Sequence, residues 1–207
     1  MLTIYGRTNS VNVQKVLWAL AELGLSYERV DAGLQHGKNR EPWYLELNPN
    51  GRVPLLVDGA FSLWESNTIV RYLCGKHDFG GLYPASPETR ADAERWMDWQ
   101  LSTLVPPVST VFQNLVRAAP TDRDVRAIGQ ATVAAAAAIA VLDRELGRRP
   151  YVAGERFTMG DIPVGATAYR WTALPDVERR ELPALRAWLE RLSARAAFRE
   201  HVMLPLS

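Results

Sequence analysis

Three short polar stretches carry the residue types that could bind and activate a small charged ligand. Tyr5, Gly6, Arg7, Thr8, Asn9, Ser10, Val11 and Asn12 form a polar turn between a strand-like run and an apolar helix. Free backbone N–H groups and the helix dipole stabilise negative charge at such a helix start, and Ser10 and Asn12 add side-chain donors there. An ordinary N-cap is the commoner use of Ser before an apolar helix, and it remains an alternative. In the second stretch, Asn48 to Val57, Pro54 opens an otherwise good strand and forfeits a ladder donor. A cis Val53–Pro54 bond would turn the Val53 backbone N–H and C=O outward to pair with an extended peptide; a trans edge-strand proline is the commoner alternative. The third stretch, Leu63 to Leu73, sets Glu65 and Ser66 at the start of a second helix. There the Ser66 hydroxyl and the helix amides can hold a carboxylate while Glu65 pairs with an ammonium, which together read an α-amino acid head group; capping uses the same residues.

The elements that must position these groups follow from periodicity. Leu2 to Tyr5 has strand composition, and Val13, Val16, Leu17 and Leu20 recur at helical spacing before Gly24, a helix stop. Tyr27 to Asp31 reads as a second strand. Val53 to Val57, the Asp58-Gly59 turn and Phe61 to Trp64 read as a hairpin. A helix begins near Ser66 with Ile69, Val70 and Leu73 as its buried stripe, and the stretch from Gly75 to Pro87 ends it in a linker. Beyond Glu88 strand signals vanish, and amphipathic stretches at Glu88 to Val116, Thr121 to Leu146, Thr158 to Ala173 and Pro183 to Ala197 predict an all-helical unit. The expected organisation is therefore α/β followed by all-α, divided as 1–77, a linker 78–87, and 88–207. Pro106 and Pro107 should bend or break their helix, since each lacks a backbone donor. Alanines 134–138 suit close helix packing. Thr158 and Asp161 form a capping box with Phe157 and Ile162 as its staple, a fold-stabilising feature worth roughly 0.5–2 kcal/mol at the cap.

Composition narrows the function classes. The 207 residues are 47% hydrophobic and 23% charged, which suits a folded globular chain and excludes a disordered one. With a net charge of +1 and no basic stripe, nucleic acid is not an expected partner. One cysteine, Cys74, rules out an internal disulfide and a CxxC pair, and fits a reducing, cytoplasmic setting. It falls on the stripe side of its helix and reads as a buried structural thiol. The N-terminus has no secretion-signal pattern, and the apolar run Ala131 to Leu142 is shorter than the roughly 20 residues a bilayer needs, so no membrane span is expected. His36, His77 and His201 share no metal-ligand spacing, so no metal is proposed. Trp96 and Trp99 read as core or interface.

The combination resembles the glutathione transferase superfamily, of the bacterial serine-type classes (theta, phi and zeta) with some Nu-like features. The run Asn48 to Pro54, then Glu65-Ser66, then the capping box at Thr158 to Asp161 fall in that family's order and spacing across the whole chain. The resemblance implies a thioredoxin-like first domain, a helical second domain and glutathione as co-substrate without a metal. It implies that Val53 precedes a cis Pro54 and pairs with the cysteinyl backbone of glutathione, with Arg52 beside it, while Glu65 and Ser66 hold the γ-glutamyl end. Ser10, five residues before Lys15, resembles the catalytic hydroxyl of the serine-type classes. Asn12 resembles its counterpart in the disulfide-reducing Nu-like members, so both are candidate catalytic residues. The stretch Gln35 to Arg40 is expected to reach the glycine carboxylate, with Asn39 first, then Arg40, Lys38 and His36; a solvated basic loop is the alternative for each. A homodimer is implied, with Asp98 a candidate to reach the partner's glutathione.

The chemistry so implied is attack of the glutathione sulfur on an electrophilic carbon, with Val11, Thr103, Pro107 and Phe112 expected in the apolar acceptor wall. The alternatives are a glutathione-dependent disulfide reductase or peroxidase, and a non-catalytic binding module on the same fold.

Overall fold

The computed structural model describes residues 1–207. Its first part is a four-stranded sheet of order β2-β1-β3-β4, formed by β1 (Leu2–Tyr5), β2 (Tyr27–Val30), β3 (Leu55–Asp58) and β4 (Phe61–Trp64). β1 and β2 run parallel because α1 (Val11–Glu22) makes the crossover between them, whereas β3 pairs antiparallel with both β1 and β4. Side-chain alternation then sorts the two faces. Leu2, Ile4 and Leu56 pack with Val13, Val16, Leu17 and Leu20 of α1 and with Ile69 and Leu73 of α3 (Ser66–His77). On the other face Leu55 and Tyr5 meet Tyr44 of the short helix α2 (Pro42–Leu47). β3 starts at Leu55, two residues later than the expected Val53, because Pro54 has no N–H to give the ladder.

The second part is helical: α4 (Pro87–Trp99), α5 (Val105–Phe112), α6 (Val125–Leu146), α7 (Asp161–Ala173), α8 (Pro183–Ser193) and α9 (Ala196–His201). Pro106 and Pro107 interrupt the α-helix without ending the helical run. A wide π turn at Gln100–Leu104 precedes them, with the Val105 N–H reaching back to the Gln100 carbonyl, and the chain continues helically through Arg117. α6 is 22 residues long, longer than the apolar run expected from sequence, and an 18-residue stretch of it has a mean hydropathy of 1.7, long and apolar enough by length and composition alone to cross a membrane. Ala131, Ala135, Ala138, Ile139, Leu142 and Leu146 form its buried stripe at helical spacing, which is how a bundle helix packs. The last expected helix is two, α8 and α9, parted where Arg195 forms an ion pair with Glu22 of α1.

The two parts share one core. Trp18, Ala19, Val70 and Cys74 belong to the same apolar cluster as the helical bundle. Trp18 is fully buried, with its ring centroid 4.8 Å from Phe198 and 5.6 Å from Phe157. A Cβ on Gly165 of α7 would lie 3.1 Å from the Trp18 ring and 2.8 Å from Leu192, so glycine is what permits α7 to approach α1. Trp96 and Trp99 pack edge to face at 5.0 Å.

Candidate active site

The sequence motifs meet where the N-termini of α1 and α3 converge. Ser10 occupies the N-cap position of α1 in extended conformation, yet its side chain caps nothing. Its hydroxyl makes no hydrogen bond within the protein, although the residue is only 7% exposed, so the capping alternative does not account for it. Asn12, the second residue of α1, points its carboxamide oxygen at Ser66, whose hydroxyl donates to it at 3.4 Å.

The Val53–Pro54 bond is cis. Neither the N–H nor the C=O of Val53 has a partner in the protein. The preceding carbonyl, that of Arg52, is held by the Tyr44 hydroxyl at 2.6 Å and the Asn48 amide at 2.7 Å, which fixes the turn. Glu65 sits at φ 71°, a left-handed conformation that costs a non-glycine residue about 1–3 kcal/mol and collects at functional sites. Its side chain is exposed and makes neither a cap nor an ion pair. The Ser66 hydroxyl, by contrast, is buried and positioned from below.

That positioning comes from Lys15, which is fully buried and donates through Nζ to Ser66 Oγ and Asn67 Oδ1, both at 3.1 Å. Burial pulls the Lys15 pKa down to about 7, opposed by the nearby Glu65 and assisted by Arg170. The thread continues inward. Asn67 Nδ2 donates to the Met97 carbonyl and to Gln100 Oε1, and Gln100 Nε2 donates to Thr167 Oγ1 at 2.7 Å. One line of buried hydrogen bonds thus runs from α1 through α3 and the π turn to α7. Sequence reasoning noted Lys15 only as a basic residue after Ser10. Its position amid Val13, Val16 and Leu17 was the available sign that it lies inward.

The basic loop carries the remaining candidates. Asn39, the leading candidate there, uses its amide on the Gly51 carbonyl at 2.7 Å. Lys38, Arg40 and Arg52 take part in no ion pair, and His36 is exposed beside Gln35. The residues expected in the acceptor wall scatter: Val11 and Pro107 are half-buried, Thr103 is exposed, and Phe112 is buried beneath Arg117 and Arg170. A cavity of about 530 Å³ opens elsewhere, between Leu115, Val116, Tyr169 and Ala173 and the tail residues Leu204 and Leu206. None of the four expected residues lines it. The tail is fastened over the site loop by Asn9 Nδ2, which donates to Ser207 Oγ at 3.0 Å. No sequence periodicity marks such a tail contact.

Cys74 is buried, and burial pushes its thiol up to about 12, so it is unreactive at neutral pH. Asp98 is held by Arg71 of its own chain. No group of three His, Cys, Asp or Glu side chains is placed to hold a metal ion.

A four-stranded mixed sheet leading into a helical bundle, with a cis proline facing two helix starts, is the architecture of a thioredoxin-like domain joined to a helical one. The glutathione S-transferase N-terminal domain family matches residues 1–74, and the C-terminal domain family matches residues 111–191. The theta class glutathione S-transferase from Xanthomonas axonopodis pv. citri, solved with glutathione bound, superposes with a TM-score of 0.96 at 45% identity, covering 100% of this chain and 99% of that one. Glutathione S-transferase GstB of Escherichia coli is 40% identical over the full length of both chains. Glutathione S-transferase 3 of Zea mays is 35% identical over 97% of this chain and 93% of its own. The chain belongs to the glutathione S-transferase family.

Proposed function

We propose that the protein is a glutathione transferase in which Ser10 donates a hydrogen bond to the glutathione sulfur and so stabilises it as thiolate for attack on an electrophilic carbon. The observation that carries this reading is the unused Ser10 hydroxyl at the start of α1, with the unpaired Val53 backbone and the Glu65–Ser66 pair beside it. The cysteinyl backbone of glutathione would pair with Val53, and its γ-glutamyl carboxylate would meet Ser66 and the α3 amides, with the ammonium on Glu65. Since the Asn39 amide is engaged with Gly51, Lys38 and Arg40 become the first candidates for the glycine carboxylate, with Arg52 and His36 behind them. The division 1–77, 78–87 and 88–207 would then separate glutathione contacts from acceptor contacts. The second reading, a glutathione-dependent reductase using Asn12, has a donor of its own, because only the carboxamide oxygen of Asn12 is engaged with Ser66.

The energetics are sufficient. A free thiol has a pKa near 8.5, and lowering it by about two pH units requires roughly 2.7 kcal/mol of preference for the charged form. A hydrogen bond to a charged group contributes roughly 1.5–3 kcal/mol and a helix N-terminus about 0.3–1 more. Ultraviolet difference titration of bound glutathione tests this. The thiolate should form about two pH units below the free thiol, Ser10→Ala should return the midpoint most of the way, and Asn12→Ala should leave it within about half a unit. If Asn12→Ala abolishes the shift and Ser10→Ala does not, the reductase reading takes over; no thiolate at saturating glutathione leaves a binding module.

The family's usual assembly makes a homodimer the expected form, and the single buried thiol suits a reducing, cytoplasmic compartment. Light scattering on the eluting protein should give about twice the 23.2 kDa chain mass; a monomer at micromolar concentration would refute the dimer.

A further inference from the structure

Three arginines converge on the loop that carries Ser10. Arg170 of α7, 8% exposed, donates through Nη2 to the Asn9 carbonyl at 3.3 Å and lies over the Phe112 ring at 4.3 Å. Arg117 lies over the same ring at 4.9 Å and donates to the Ser207 carbonyl, while Ser207 is in turn bonded to Asn9. Arg7 belongs to the loop itself: its carbonyl accepts from the Ser10 N–H, and its guanidinium reaches so close to Gly33 that a Cβ there would sit 2.7 Å from Nη1. No Asp or Glu pairs with any of the three, whereas Arg71, Arg149 and Arg195 each have a carboxylate. The Nε atoms of Arg7 and Arg170 are buried without a partner. Val116 and Tyr169, the chain neighbours of Arg117 and Arg170, line the cavity of about 530 Å³, which the three arginines themselves do not line.

Like charges gathered at low exposure without counter-charge repel one another and lack part of their hydration, and an anion of the right size relieves both. Burial and the two neighbouring guanidiniums lower the Arg170 pKa to about 10, and Arg117 adds to the lowering at Arg7. At neutral pH all three remain cations.

We infer that Arg7, Arg117 and Arg170 form an anion site beside the loop that carries Ser10, and that the enzyme prefers electrophiles carrying a carboxylate close to the reacting carbon. This rests on the transferase reading above. The carboxylate would be gripped by the guanidiniums while the attached carbon faces the sulfur held at Ser10. The step balances without a further reactant: the thiolate electron pair forms the C–S bond, the carbon–leaving group bond breaks, and the leaving group departs with its pair. The thiol proton has already passed to solvent.

Iodoacetate and iodoacetamide form a matched pair that differs in charge but not in the carbon attacked. For each, the enzymatic kcat/KM is divided by the rate constant of free glutathione thiolate. The corrected preference for iodoacetate should be at least about ten-fold, the lower end for a charge-assisted hydrogen bond. Arg117→Gln should cut the iodoacetate value about ten-fold while changing iodoacetamide less than about two-fold, and Arg117→Lys should retain most of the preference. Arg170→Gln risks the fold because its guanidinium is buried, so Arg117 is the decisive position. Calorimetry gives a second readout: S-carboxymethylglutathione should bind at least about ten-fold tighter than S-carbamoylmethylglutathione, and Arg117→Gln should erase the difference. Turnover of iodoacetamide with no preference for iodoacetate, or an equal fall of both in Arg117→Gln, overturns the anion site and leaves the transferase intact. Absence of turnover with both, together with no thiolate in the titration above, removes the two readings together.

Discussion

Lys15 and Asp161 are both fully buried ionisable side chains, and they are treated in opposite ways. Asp161, at the start of α7, accepts from the backbone N–H groups of Val152 (3.0 Å) and Thr158 (2.9 Å), from Trp188 Nε1 (3.0 Å) and from the Thr158 hydroxyl (3.4 Å). Lys15 has two neutral oxygens, those of Ser66 and Asn67, and no carboxylate. A buried charge whose every partner comes from the fold is a structural part. One left short of countercharge, directly behind a hydroxyl that faces the site, is arranged for something that arrives later. Burial raises the Asp161 pKa to about 6 against the pull of its hydrogen bonds, and lowers that of Lys15 to about 7.

The contrast is broken most directly at Asp161. Asp161→Ala leaves three N–H donors buried without an acceptor and should lower the unfolding free energy by about 3–5 kcal/mol in urea titrations, with kcat/KM per folded molecule unchanged. A loss below about 1 kcal/mol would mean that water replaces the carboxylate and that the two sites are not different in kind.

The next effect lies in two separate pH windows. The folded pKa of Lys15 is depressed, so its contribution is most favourable above the unfolded value of 10.5 and is lost as pH falls through about 7. Stability should therefore rise with pH between about 7 and 10.5, by an amount on the order of a few kcal/mol, and Lys15→Met should flatten that rise. The folded pKa of Asp161 is raised, so its contribution is fully present below 3.8 and is lost as pH climbs through about 6; Asp161→Asn should remove only that change. Urea midpoints measured across both ranges in the two variants read the windows apart.

The smallest effect is the most specific. At pH 8 most of the buried Lys15 is neutral, and a ligand carboxylate on Ser66 favours its ammonium. Binding of S-methylglutathione, which has no thiol proton to release, should then take up a sizeable fraction of one proton per site. Calorimetry in buffers of differing ionisation enthalpy measures it, and Lys15→Met should bring it to zero. Equal uptake in the variant would assign the proton elsewhere and cancel the contrast with Asp161.

What could be read in advance follows the range of the interactions. β1, α1, the Asp58-Gly59 hairpin and the start of α3 depend on neighbours a few residues away, and their alternation and caps stand in the sequence. The capping box was legible in the same way, with one adjustment: the Asp161 carboxylate takes the Thr158 N–H as expected, but the Thr158 hydroxyl accepts from Gly160 at 3.3 Å. Ser10, Glu65 and Ser66 could be singled out only because they stand at helix starts. Whether their side chains cap those helices depends on backbone angles such as the φ of 71° at Glu65, which composition does not reveal. That Pro106 and Pro107 interrupt the α-helix stands in their lack of N–H, but that the interruption takes the form of a π segment, with the prolines in the first turn of α5, does not. The arginine trio and the tail came from 7, 117, 170 and 207, positions that only the tertiary fold brings together.

The burial of Trp18 in the bundle bears on how such proteins diversify. A strand-and-helix unit that lends its largest side chain to its neighbour's interior cannot be exchanged freely between relatives, because the recipient must offer the glycine gap at position 165 and the aromatic rings of Phe157 and Phe198. Chimaeras joined in the linker should fail unless those contacts travel with the first unit. New acceptor preferences are then reached more readily by changing residues within one half than by swapping halves.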